Sequence, residues 1–409
     1  MRSTITKFRK FNNQSLNQNV VKAQYAVRGE IPTKAEEYSK LLSDSTNKSI
    51  LNFKSVLPCN IGNPQQQGLN QKPLTFFRQV SALTEYPELI KESFNLFPGD
   101  VKSRASELLN NIGSIGAYSH SKGVPFIREQ VAKFLKERDG YDAEAENIFL
   151  TNGASGGVSL LFQLILDGKN DGVMIPIPQY PLYSASLALA GSNMVSYDLD
   201  ENNGWNLNVK LLEDSLSNAR KNNINVKALV IINPGNPTGA VLSHDNIREI
   251  CDFANEHNLV IVADEVYQNN IYNNNKPFVS FKKVIKDLNY DLQLVSLHSI
   301  SKGFSGECGR RGGYTEFVNF ENDFIDQATK LASISLCPPL QGQIAVDLLV
   351  RPPKPTDESY EVYKNETSQI INSYSQRSKL MTERFNKLEG VSCNEAEVRN
   401  YYYRQLKYK

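Results

Sequence analysis

Between residues 147 and 298 the chain alternates short apolar, β-branched runs with longer stretches of helical period. The runs are NIFLT (147–151), GVMIPI (172–177), VKALVIIN (226–233), LVIVADE (259–265) and LQLVSLH (292–298). Each has the length of a strand, and such nearly unbroken hydrophobicity marks strands covered on both faces, as in a mostly parallel sheet between helical layers. The intervening stretches carry helix signals. In SHDNIREICDFANEHN, Ser243 stands at a capping position, and Ile247, Ile250, Cys251 and Ala254 recur at helical spacing. This βα alternation predicts an α/β fold whose ligands bind beyond the carboxyl ends of the strands.

After residue 347 the pattern changes. Pro352, Pro353 and Pro355 in LLVRPPKPTDESYE break any regular element and mark a hinge or surface turn. A helix over 357–388 follows, with Tyr360, Tyr363, Ile370, Tyr374, Met381, Phe385 and Leu388 on one face, predicted to pack a smaller domain against the first. QNNIYNNNK (268–276) reads as a polar loop. A chain of 409 residues, 40% hydrophobic, exceeds the size at which one core keeps growing, so two unequal domains are expected.

Composition narrows the function classes. Lys plus Arg number 45 against 44 Asp plus Glu, a net charge of +1 without a long basic block, which argues against a nucleic-acid partner. The cysteines Cys59, Cys251, Cys308, Cys337 and Cys393 lie far apart with no C-x-x-C pair, and His120, His244, His257 and His298 form no H-E-x-x-H motif. Neither a disulfide framework nor a metal site is suggested, and a reducing compartment fits best. The most apolar helical stretch, VSLLFQLIL (158–166), is too short to span a bilayer. Before Glu30 the chain carries Arg2, Lys7, Arg9, Lys10, Lys22 and Arg28 and no acid. A solvated basic tail and a cytoplasmic location are expected, with a mitochondrial signal as the alternative.

Four strand ends carry candidate chemistry. LTNGASGGVSLLF turns from a strand into a helix through small residues, where free N–H groups and the Ser155 hydroxyl suit a phosphate. The same residues match the G-x-S-x-G elbow of serine hydrolases, with Asp264 and His298 following in the order of a Ser…Asp…His triad. IINPGNPTG presents Asn236 from a rigid turn. VADEVY runs an apolar strand into Asp264, with Tyr267 three residues on; a carboxylate at a buried strand end is costly unless a cation, here one from a ligand, meets it. SLHSISKGFSGECGRRGGY places Ser299, Lys302 and Arg311 on the same rim, and a desolvated lysine amine can attack a carbonyl. A phosphate held by the 153–157 turn, Ser299 and Arg311, a pyridinium nitrogen on Asp264, a phenolate oxygen on Asn236 and Tyr267, and an aldehyde on Lys302 together describe pyridoxal 5′-phosphate.

In this order NPGNPTG, ADEVY and SISKGF…GRRGGY resemble the fold-type I aminotransferases. NQNVVKAQYAVRGEIPTKAEE, TNGASGGV, IPIPQYPLYSA, HSISKGFSGECG and LASISLCPPLQGQ are similar to the alanine aminotransferase group among them. The resemblance implies a large domain with a mostly parallel, seven-stranded sheet flanked by helices, and a smaller α/β domain. It divides the chain into an arm with part of the small domain (1–75), the large cofactor-binding domain (76–350), and a linker helix with the rest of the small domain (351–409). It implies pyridoxal 5′-phosphate as cofactor and amino transfer between alanine and 2-oxoglutarate in a homodimer that meets only small amino and keto acids. Lys302 would bind the cofactor aldehyde, Asp264 the ring nitrogen, and Asn236 and Tyr267 the ring hydroxyl. Ala154, Ser155, Ser299 and Arg311 would hold the phosphate, with Arg311 preferred over Arg310 by its spacing to GGY. Tyr180 would stack on the ring, and Tyr118 would reach the phosphate of the other subunit. The resemblance extends from about Leu16 to Glu397. Beyond Glu397 no residue matches in context the late arginine that the family sets on the substrate carboxylate. A small domain lacking its last elements and weak or absent turnover are therefore expected, as in a noncatalytic cofactor-binding relative.

Overall fold

The computed structural model describes residues 11–44, 51–58, 60–66, 71–92, 95–271, 276–394 and 405–406. The leader residues Arg2, Lys7, Arg9 and Lys10, the middle of the 268–276 loop, and residues 395–404 with Glu397 lie outside them. A seven-stranded sheet organises the middle of the chain: β1 (Ile148–Thr151), β2 (Asp171–Ile177), β3 (Asn193–Asp198), β4 (Asn225–Ile232), β5 (Val260–Asp264), β6 (Leu294–Ser299) and β7 (Gly313–Val318). Their order across the sheet is β1-β7-β6-β5-β4-β2-β3. Strand β7 runs antiparallel to both neighbours, and the remaining adjacent pairs are parallel.

Both faces are covered, which is why the strands read as continuous apolar runs. Along β4, Ala228 and Val230 belong to one core with the helices Ala154–Ile165, Leu182–Ala190 and Asn322–Ile334. Leu229 and Ile231, the alternate residues, belong to the opposite core with the helices Val209–Lys221, His244–His257 and Phe281–Asp287. Ser243 caps His244–His257 through its hydroxyl, as its position predicts. A third core joins Thr75–Glu85, Gly99–Ile112, Pro125–Asp139 and Leu340–Val350 to Ile148 and Leu150 of β1.

Strands β3 and β7 are not among the five that the apolar runs predict. Strand β3 is a sheet edge in which only Val195 and Tyr197 are buried, so it carries no long run. Strand β7 is buried throughout yet contains Thr315 and Glu316. Glu316 lies 2.6 Å from the ammonium of Lys282, itself buried. Burial raises the Glu316 carboxyl above its ordinary range, and Lys282 opposes that rise. Lys282→Met should therefore cost about 3–5 kcal/mol, because it leaves a buried charge without its partner. Chemical denaturation checks this, and a loss under about 1 kcal/mol, the worth of an exposed pair, would contradict it.

The helix expected over 357–388 spans Tyr360–Phe385. Tyr363 and Tyr374 are buried, and Ile370 packs on the third core. Met381 and Leu388 are exposed, so the packed face is confined to the first half of the predicted stripe. That half is also tethered: the Glu366 carboxylate accepts from Thr75 N at 2.9 Å, and the nearby Glu358 carboxylate accepts from Gly99 N at 2.8 Å. Among the described residues, no helix is long and apolar enough to cross a membrane.

Candidate active site

The pairing of β7 with β1 brings Arg311 across the turn that follows β1. Gly313 stands opposite Thr151, and a Cβ on Gly313 would sit 3.0 Å from Ala154 N. From there Arg311 Nη2 donates to Asn152 O at 3.0 Å and to Ser155 Oγ at 3.2 Å, while Nη1 donates to Cys308 O at 3.3 Å. The helix beginning at Ala154 has Gly153 before it at φ +70° and no capping side chain. A guanidinium, a hydroxyl and a helix N-terminus thus meet at one turn, the chemistry of a phosphate cradle. Ser299 braces it from beneath: its buried hydroxyl donates to Gly312 O at 3.2 Å and accepts from Ser301 N at 3.1 Å. Arg310 faces elsewhere, with Nε 3.1 Å from the Glu307 carboxylate.

Asp264 ends β5 and is buried. Its Oδ2 accepts from Tyr183 Oη at 2.7 Å, and Oδ1 accepts a longer bond from Val266 N at 3.4 Å. Tyr180, at the entry to the Leu182–Ala190 helix, shares a 2.8 Å hydrogen bond between hydroxyls with Tyr25, the rings meeting edge to face. Burial pushes the Tyr180 phenol up, and Tyr25, Tyr267 and Asp264 add to the rise. Tyr267 is buried on the turn after β5. Asn236 lies half-buried in the turn after β4, which Gly235 N closes onto Ala240 O at 2.8 Å.

Lys302 follows β6 on a turn whose next residue, Gly303, has φ +70°. The lysine is not splayed into solvent. Its Nζ donates to Gly62 O at 3.0 Å. The segment bearing that carbonyl is tied down on both sides: Asn60 Nδ2 donates to Val27 O at 2.9 Å, and Gln65 Nε2 donates to Ser305 O at 3.3 Å and Gly306 O at 3.2 Å. Tyr25, Gly62 and Tyr183 therefore contact the candidate residues Tyr180, Lys302 and Asp264, a part that the motifs did not reveal. Tyr118 lies at the surface, 80% exposed, with the neighbouring Ser119 N donating to Cys337 Sγ.

The serine-hydrolase alternative fails on geometry. His298 is an interior residue of β6, and neither ring nitrogen has a hydrogen-bond partner, so it engages neither Ser155 nor Asp264. Burial, reinforced by Arg138, pushes its imidazole down to about 3, which removes it as a base at neutral pH. The Ser155 hydroxyl instead receives Arg311 and leans on Asn152 O.

The model of the family "Aminotransferase class I and II" matches residues 91–408. The chain belongs to that family. Class I and II aminotransferases carry pyridoxal 5′-phosphate, and this aminotransferase uses the same cofactor. A mitochondrial alanine aminotransferase 1 of Arabidopsis thaliana is 48% identical over 94% of the chain and 71% of its own length. A Saccharomyces cerevisiae protein named inactive alanine aminotransferase is 47% identical over 97% of the chain and 80% of its own length. Among solved structures, an alanine aminotransferase from Pyrococcus furiosus superposes with a TM-score of 0.74 at 22% identity, covering 96% of this chain and 85% of that one, a likeness of fold. The mixed seven-stranded sheet between helical layers is that of fold-type I aminotransferases.

The residues of this aminotransferase fit the cofactor. The Arg311–Ser155 cradle suits its phosphate, the buried Asp264 carboxylate its ring nitrogen, and the tethered Lys302 amine its aldehyde. The cradle leaves no space at Gly153, where a Cβ would stand 2.5 Å from Arg311 Nη2 on a backbone that L-residues rarely adopt. Gly153→Ala should weaken cofactor affinity about tenfold or more, the equivalent of a strained residue in a binding turn. Titration of the cofactor-free protein with pyridoxal 5′-phosphate checks it, and an unchanged affinity would show that the cradle has slack.

Proposed function

We propose that this aminotransferase moves the amino group of L-alanine to 2-oxoglutarate, giving pyruvate and L-glutamate. The reading is supported by the order of the strands, which sets Asp264 at the end of β5, Lys302 just after the adjacent β6 and Arg311 just before the adjacent β7, in a chain 48% identical to an alanine aminotransferase. When bound, the cofactor supplies an aldehyde that condenses with amines and a ring that holds the electron pair left as a proton departs. The protein does the rest. Arg311, Ser155 and the N–H of Ala154 would hold the phosphate, with Ser299 joining them if its hydroxyl turns from Gly312 O. Tyr180 would lie against the ring, Asn236 and Tyr267 would bond its oxygen, and Asp264 would balance the charge of its protonated nitrogen. The Lys302 amine would bind the aldehyde and, when free, would serve as the base that takes the substrate α-proton and gives it back. Amino acid and keto acid use the same site in turn, so initial-rate plots should be parallel, as in ping-pong kinetics.

A homodimer completes the proposal: the exposed Tyr118 is poised to reach the phosphate in a second copy's site. We place the protein in the cytoplasm; the mitochondrial name of the Arabidopsis relative favours the alternative, and subcellular fractionation decides between them. The function itself is tested by incubating purified, cofactor-loaded protein with alanine and 2-oxoglutarate and following pyruvate through lactate dehydrogenase. Turnover that depends on both substrates supports the reading. A cofactor-loaded protein that makes no pyruvate supports instead a noncatalytic role, for which the inactive yeast relative is the precedent.

A further inference from the structure

Asp264 needs more than position. To hold a pyridinium it must stay an anion in a buried place, and it must accept the ring-nitrogen proton without taking it. Tyr183 is the side chain that the fold sets against it. The residue sits in the first turn of the Leu182–Ala190 helix, fully buried, packed near Phe162, with its hydroxyl 2.7 Å from Asp264 Oδ2. Gly191 at φ +70° ends that helix, and a Cβ there would meet Asn19 at 2.9 Å, so the arm residue Asn19 fits closely over the helix end.

We propose that Tyr183 is a positioning residue for amino transfer: its hydroxyl fixes the Asp264 carboxylate and satisfies Oδ2, so that the proton between carboxylate and ring stays on the ring nitrogen. The proposal rests on the reading of Asp264 as the ring-nitrogen partner. A hydrogen bond from a neutral donor strengthens an anion without cancelling its charge. An arginine or lysine at the same place would compete with the pyridinium for the carboxylate. Tyr183 remains a neutral donor because burial, and after it the Asp264 charge, holds its phenol well above the ordinary value. Among the described residues, the titratable groups near this pair include Tyr180 and Tyr197, beside Tyr183, and Tyr267, beside Tyr180. Each is a phenol, and Tyr197 spends its hydroxyl on Val230 O at 2.7 Å. Without the Tyr183 donor, Asp264 becomes a stronger base and draws the shared proton toward itself. A ring nitrogen without its proton is a poorer electron sink.

The test is Tyr183→Phe, which removes one oxygen and keeps the ring. Cofactor labelled with ¹⁵N at the ring nitrogen is bound to wild type and variant, and the nitrogen resonance is recorded beside kcat and KM. The expected result is a resonance displaced toward the unprotonated position, with kcat lowered about tenfold to a hundredfold and KM little changed, the worth of a hydrogen bond to a charged group. In the cofactor-free proteins, isotope-edited infrared spectra should show the Asp264 carboxylate band displaced in the variant. A merely structural role would lower the melting temperature while leaving the resonance in place, and an unmoved resonance overturns the inference. Asp264→Asn is run in parallel to separate the two failures. Near-normal turnover in D264N defeats the reading of Asp264 itself, whereas a crippled D264N with a wild-type-like Y183F defeats only the role of Tyr183. Should Y183F not fold, 3-fluorotyrosine at position 183, a stronger donor of the same shape, is expected to move the resonance the opposite way, and no movement overturns the proposal.

Discussion

Lys302→Ala is expected to bind pyridoxal 5′-phosphate without the visible band of a lysine-bound cofactor and to lose alanine–2-oxoglutarate turnover by about 10,000-fold or more, the upper range for removing a positioned acid–base group. The amine is built into the site. It is held by the Gly62 carbonyl at 3.0 Å, on a turn directly after β6. On the proposed roles, truncation would remove both the covalent attachment and the base at the α-carbon, whereas Arg311 and Ser155 would still meet at the candidate phosphate cradle, so cofactor should remain bound, more loosely. Absorbance spectra, cofactor content and the coupled assay measure the three quantities separately. Partial recovery of rate with added methylamine would show that the missing function is an amine. A variant that keeps its band or its wild-type rate would remove Lys302 from the mechanism.

The second large effect is expected at Asp264. Asp264→Asn preserves shape, and its amide oxygen can still accept from the Tyr183 hydroxyl, so the fold should persist. The charge is what disappears. A neutral amide cannot balance a protonated ring nitrogen, and a misplaced or missing electrostatic partner for developing charge costs about 100- to 1000-fold in kcat. Because the proposed role of Asp264 is to balance charge on the ring nitrogen rather than to hold substrate, KM should move far less than kcat. Steady-state kinetics on cofactor-saturated D264N give both numbers, and a kcat within a few-fold of wild type would contradict the assignment.

The parts of the molecule that were legible in the sequence are those whose physics is local. Ala228 to Ile231 point alternately into two cores, so β4 had to be apolar at every position, and the same holds for most of β2, β5 and β6. Motif residues at the strand ends were legible for a related reason: Asp264 and Lys302 are polar groups placed where an apolar run stops. Strand β7 escaped because Glu316 is tolerated inside only through Lys282, a residue 34 positions away. Tyr183 escaped because an aromatic in an apolar helix reads as packing until its hydroxyl is seen beside a carboxylate. Gly62 contributes a backbone oxygen, which no side-chain pattern can announce. Tyr25 depends on how the arm lies over the Leu182–Ala190 helix, where Asn19 also donates to Leu189 O.

The strand order has a consequence for synthesis. Among the described residues, strand β1 joins the sheet only through β7, and 161 residues separate the end of the one from the start of the other, from Thr151 to Gly313. On a ribosome delivering the chain from its N-terminus, β2 to β6 can pair as they emerge, while β1 and the Gly153 turn wait for a place to dock. The phosphate cradle is split in the same way, with Ser155 on the early side and Arg311 on the late one. If this turn holds the phosphate, a nascent chain stalled before residue 311 lacks half of the cradle, and cofactor retention is expected only late in translation. Ribosome-bound chains ending on either side of β7 should therefore differ sharply in retention of pyridoxal 5′-phosphate.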